Sequence, residues 1–212
     1  MLFRSACYYA YASLAVWRRT GRAANFVVPS GNLGNAVAAV WARRAGLPIG
    51  AIVLAVNANR TVPDYLATGT WEPRPSIRTL ASAMDVGNPS NMERLRHLYP
   101  ESRELGLAIG ACTVSDAEIR ARIHSDYARL GQTWCPHTAT AAEAYARFAP
   151  AQRAAGPWLL VATAHPAKFA ETVEPLIGRP VPVPPALARL LSLPRHVTEV
   201  PATYAALAAV LA

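Results

Sequence analysis

The chain is 212 residues long, enough for one substantial α/β domain or one and a half ordinary ones, and is 52% hydrophobic against 16% charged, which argues against a disordered or low-complexity chain. Its net charge of +8 attracts anions, yet Lys168 is the only lysine and basic residues run together only as doublets such as Arg18-Arg19, without basic runs interleaved with aromatics; small phosphorylated ligands fit better than nucleic acid. Cys7, Cys112 and Cys135 lie far apart, with no CxxC pair and no histidine at ligand spacing, so a reducing, cytoplasmic setting without a metal site is expected.

In chain order, Leu2 to Arg19 reads as a helix, with Leu2, Tyr9, Ser13 and Trp17 on one side and Gly21 as its stop. Its apolar core, Ser5 to Trp17, is too short to span a bilayer and ends in Trp-Arg-Arg without a cleavage site, so no membrane association is expected. Asn25–Val28 reads as a buried strand, followed by the turn Pro29 to Asn35 and an Ala-rich helix ending at Ala45-Gly46. A second strand, Ile49–Val56, completes a right-handed βαβ unit. Asn57 to Asp85 is a proline-containing excursion with one helical turn near Asp64, long enough to hold a lid or a substrate loop.

Helix signals resume at Ser90. A strand at Leu107–Thr113, helices at Asp116–Leu130 and Thr138–Phe148, a strand at Trp158–Ala162 and a helix at Pro166–Ile177 follow. The alternation predicts an α/β fold: an open, mostly parallel sheet with helices on both faces. After Gly178 the prolines of Arg179 to Pro185 force an extended connector, which leads to a terminal helix over Ala202 to Leu211. The expected division is residues 1–178 as an α/β domain and 179–212 as connector and helix.

Ser30-Gly31-Asn32-Leu33-Gly34-Asn35, between a strand and a helix start, has the makings of a phosphate cradle, because glycines turn the backbone tightly and the helix dipole adds positive potential. It is neither a P-loop nor GxGxxG. The plainer reading is a βα turn with Asn35 as helix N-cap. Ser90-Asn91-Met92-Glu93 fits a capping box, and the fork of Arg94 beside it suits a phosphate.

Taken together, Val28-Pro-Ser-Gly-Asn-Leu-Gly-Asn35, Met84-Asp-Val-Gly-Asn-Pro-Ser-Asn-Met-Glu-Arg94, Pro136-His-Thr-Ala139 and Thr163-Ala-His-Pro-Ala-Lys-Phe169 resemble, in this order, the C-terminal half of the threonine synthase family. The resemblance implies the pyridoxal-5′-phosphate (PLP) fold type II, tryptophan-synthase-β-like and here incomplete. It implies that Ser30, Gly31, Asn32, Leu33, Gly34 and Asn35 hold the cofactor phosphate and that the Thr163 hydroxyl meets the pyridine nitrogen. It assigns Ser90, Asn91 and Arg94 to the phosphate of O-phospho-L-homoserine, which the family converts with water to L-threonine and phosphate.

Two departures matter. The family commonly has an acidic residue where this chain has Cys135. The family's Schiff-base lysine lies well upstream of the glycine-asparagine loop, and Lys168 does not match it, so no catalytic residue is assigned in this chain and the chain alone is expected to be inactive. The competing reading is a non-catalytic phosphate- or PLP-binding remnant, or a subunit that needs a separately encoded, lysine-bearing N-terminal half. A Rossmann-like nucleotide domain fits less well, since the glycine spacing is wrong and the second strand closes on Val56-Asn57 rather than an acidic residue.

Overall fold

A computed structural model describes residues 2–194 and 196–211, with side chains from residue 4 onward. Helix α1 (Leu2–Thr20) leads into β1 (Ala24–Pro29), α2 (Gly34–Arg44) and β2 (Ile49–Val56). Tyr9 and Ser13 of α1 are buried as their spacing predicts, while Trp17 is 48% exposed and the side chain of Leu2 lies outside the described residues. Within the excursion after β2 are α3 (Thr61–Thr68) and a single 3-10 turn, Ser82–Met84. Then come α4 (Met92–Leu98), α5 (Ser102–Ala108), β3 (Gly110–Thr113), α6 (Asp116–Leu130), α7 (Pro136–Ala146), the short α8 (Pro150–Ala154), β4 (Trp158–Leu160), a 3-10 turn at Pro166–Phe169 and α9 (Ala170–Ile177).

The four strands form one sheet in the order β3-β2-β1-β4, with every neighbouring pair parallel. Central β1 is buried along its whole length, because successive side chains point to opposite faces and both faces are covered. On one face Phe26 and Val28 pack with Ile52 and Leu54 against Ala36, Val37 and Val40 of α2. On the other, Val27 and Ala55 pack against Ala141 and Ala144 of α7 and against Phe148. The small side chains of α2 and α7 let both helices lie close to the strands, so the loop joining β1 to α2 is held between rigid elements. Residues 182–212 form a second compact unit, with helices α10 (Pro185–Leu191) and α11 (Tyr204–Leu211).

Several local expectations are corrected. Leu107 and Ala108 belong to α5 rather than to a strand: Ile109 N–H donates to Leu105 O at 2.8 Å, Leu105 is buried and Leu107 faces solvent, an i, i+4 pattern that a short apolar run does not reveal. The last strand stops at Leu160, short of Ala162. Helices α8 and α10 begin on prolines at their first turn, where the missing N–H costs no helical bond and the fixed φ suits the helix. Helix α7 starts at Pro136, two residues earlier than expected, with the Cys135 thiol as its cap, accepting from Thr138 N–H at 3.4 Å.

The capping box at Ser90-Glu93 does not form. Asn91 precedes α4 without a side-chain cap, and the Ser90 hydroxyl turns away to Asn32, 58 residues earlier in the chain. A capping box does form at α6, where Ser115 and Glu118 satisfy each other's backbone N–H groups.

Candidate functional site

The β1–α2 loop owes its shape to two residues. Gly31 passes so close to the excursion that a Cβ there would lie 2.5 Å from the Met84 Cα. Leu33 sits in the left-handed region at φ 61°, a conformation that costs about 1 kcal/mol for a residue with a Cβ and is tolerated here because its side chain is anchored in the core. Leu33, not Asn35, is therefore the N-cap: its carbonyl accepts from Val37 N–H at 2.8 Å, and Gly34 is the first helical residue. The first N–H groups of α2, which point out of the helix start, have no intrahelical acceptor. No side chain caps them, and together with the dipole they form an anion-attracting end. The Ser30 hydroxyl is buried, with no hydrogen-bond partner among the described residues.

Beside this helix end lies a cleft of about 960 Å³. Gly34 and Asn35 line it from the loop, Asn91 and Arg94 from the start of α4, and Thr163 with Leu159 to Ala162 from β4 and the residues after it. Tyr8, Tyr9, Phe26 and Trp41 supply an aromatic wall. Five residues assigned from sequence thus share one cavity: Gly34, Asn35, Asn91, Arg94 and Thr163. Ser30, Gly31, Asn32, Leu33 and Ser90 do not line it, and the Leu33 side chain belongs to the core. Sequence reasoning missed the aromatic wall, because Tyr9 and Trp41 recur at ordinary helical core spacing.

Asn32 ties the two halves of the site. Its Oδ1 accepts from Ser90 N–H at 2.7 Å and from the Ser90 hydroxyl at 3.1 Å, and its carbonyl accepts from Asn91 Nδ2 at 2.7 Å. Asn91 Oδ1 in turn accepts from Arg94 Nη1 at 3.1 Å. Ser90 and Asn91 therefore clamp the loop and orient Arg94, whose guanidinium keeps further N–H groups for the cleft.

The excursion behind the loop is pinned rather than free. Asn57, fully buried at the end of β2, donates to Asp85 Oδ1 at 2.7 Å and to Thr79 Oγ1 at 2.8 Å, and Asn59 exchanges bonds with the Ile77 backbone. His137 Nε2 accepts from Ala83 N–H at 3.1 Å, and its ring packs on Phe169, linking the excursion to the segment after Thr163. Burial lowers the His137 pKa below the usual imidazole value, against the opposing pull of Asp85, so the ring stays a neutral acceptor. Lys168 is exposed in the 3-10 turn and does not line the cleft.

Residues 138–211 match the family model for the C-terminal part of threonine synthase. The Serratia marcescens threonine synthase is 35% identical over 203 residues, which cover 96% of this chain and 46% of that protein. The crystal structure of the Escherichia coli threonine synthase superposes with a TM-score of 0.86 at 33% identity, covering 99% of this chain and 48% of the other. The PLP-bound threonine synthase from Brucella melitensis superposes with a TM-score of 0.78 at 27% identity, covering 90% and 46%. The chain spans about half the length of these relatives. In sequence and in its open parallel sheet of PLP fold type II, this chain is similar to the C-terminal portion of the threonine synthases.

Proposed function

We propose that this chain is the phosphate-gripping portion of a PLP-dependent threonine synthase acting on O-phospho-L-homoserine, and that it works with a lysine-bearing half carried on a further segment or a separate subunit. The observation that carries the reading is the uncapped start of α2 opening, through Gly34 and Asn35, into the same cleft as Thr163 and Arg94. A phosphate fits these groups: N–H donors at the start of α2 without an intrahelical acceptor, and a positive helix end that opens into the cleft.

PLP, when bound, supplies the electron sink that such chemistry on an amino acid needs. The residues of this chain bind and orient. The N–H groups of Gly34 and Asn35 hold the cofactor phosphate, with Gly31 to Leu33 shaping the turn that presents them, and the Thr163 hydroxyl serves the pyridine nitrogen as a neutral partner. Arg94, steadied by Asn91, takes the substrate phosphate, while Tyr8, Tyr9, Phe26 and Trp41 limit water in the cleft. Lys168, lying off the cleft, takes no part, which leaves the amine to the other half.

The test is phosphate release from O-phospho-L-homoserine. The 212-residue chain alone is expected to give none, and the chain joined to a lysine-bearing half of a threonine synthase is expected to give both phosphate and threonine. In that joined enzyme Arg94→Ala should leave PLP bound and raise KM about tenfold to a hundredfold, the effect of losing a charge-assisted contact to a dianion. Turnover by the lone chain, or unaltered kinetics in the variant, would contradict the assignment.

A further inference from the structure

The partner that fixes Asn35 lies outside the loop. Tyr9, only 3% exposed, donates from its hydroxyl to Asn35 Oδ1 at 2.8 Å across the α1–α2 contact. Its ring stands edge-on to Phe26, with centroids 5.0 Å apart at 73°, so the hydroxyl has little room to swing. Burial also raises the Tyr9 pKa well above its ordinary value, which keeps the group a neutral O–H donor throughout the physiological range. Asn35 is the second residue of α2 and, with Gly34, lines the cleft. A carboxamide has one acceptor and one donor end. Once Oδ1 is committed to Tyr9, the Nδ2 amide, which has no acceptor among the described residues, is the end left for a ligand.

We infer that Tyr9 is a positioning residue for anion binding: it holds the Asn35 carboxamide in the orientation that adds Nδ2–H to the backbone donors at the start of α2. The inference rests on the assignment of that helix start to the cofactor phosphate and deepens it. A flipped carboxamide would turn Oδ1 toward the phosphate oxygens, lone pair against lone pair. The Tyr9 hydroxyl disfavours that alternative, because accepting from a flipped Nδ2 would leave its own buried O–H without an acceptor among the described residues; its contribution is to selectivity of orientation rather than to packing, which the ring supplies.

PLP is titrated into the 212-residue chain and into Tyr9→Phe, Asn35→Ala and the double variant, with thermal denaturation of each. Tyr9→Phe keeps the ring and its contact with Phe26, so the denaturation temperature should change little while PLP binds about tenfold more weakly, the scale of one hydrogen bond to a charged ligand. Asn35→Ala should lose a similar factor, and the double variant should bind no more weakly than Asn35→Ala alone. In the wild-type chain the Asn35 side-chain NH₂ resonance should shift on adding PLP, a readout independent of whether any variant folds. Equal PLP affinity in Tyr9→Phe, additive losses in the double variant, or an unmoved NH₂ resonance while PLP binds would overturn the role of Tyr9 and leave the phosphate site standing. Failure of the wild-type chain to bind PLP would overturn both.

Discussion

Gly31→Ala is expected to cost about 3 kcal/mol of stability and to lower the denaturation temperature by roughly 10 °C, at the upper end of overpacking effects. The cause is space, not backbone dihedrals. The added Cβ would lie 2.5 Å from Met84 Cα and 2.9 Å from its carbonyl carbon and oxygen. Met84 cannot step back easily: its N–H donates to Ala81 O and its carbonyl accepts from Val86 N–H, both at 2.8 Å. The neighbouring Asp85 is held by Asn57 and Thr79. PLP affinity should fall with stability, because the loop must move for the methyl group to fit. Gly106→Ala, in α5 where nothing lies within 4 Å of the new atom, serves as the control and should be neutral or stabilising. Wild-type denaturation in Gly31→Ala would mean that the loop does not press on the excursion.

Gly34→Asp should separate binding from stability. Gly34 is the first residue of α2, where a carboxylate meets the positive end of the helix dipole and contributes about 0.3 to 1 kcal/mol in favour of the fold. The same carboxylate would face the cleft in which the cofactor phosphate is assigned, and opposing like charges costs several kcal/mol. The variant should therefore denature at or above the wild-type temperature while binding PLP at least a hundredfold more weakly. Gly34→Asn, with the same shape and no charge, should lose much less. Equal PLP affinity in Gly34→Asp, measured by equilibrium titration, would remove the helix start from the site.

Much of the frame was legible in the sequence because its cause is local. The β-branched runs of β1 and β2, the Ala-rich helix between them and the glycine turn each carry their own signal, and the parallel pairing follows from the single short crossover. Ser115-Asp-Ala-Glu118 and Ser90-Asn-Met-Glu93 fit the same capping pattern, yet only the first forms a capping box. Ser90 instead answers a partner 58 residues away, a choice set by tertiary packing that no local rule contains. Tyr9 is a similar case: helical spacing marks it for burial, but its bond to Asn35 exists only because α1 packs across α2. The pinning of the excursion depends on Asn57, a residue that reads as ordinary loop polarity until its burial is known.

The most direct measurement is an amide-resolved NMR titration of the 212-residue chain with PLP, inorganic phosphate and pyridoxal. PLP and phosphate should both shift the backbone amides of Gly34 to Ala36, which start α2, and pyridoxal, which lacks the phosphate, should leave them nearly unmoved. Saturating PLP that shifts residues elsewhere while these amides stay in place would contradict the assignment of the loop to the cofactor phosphate.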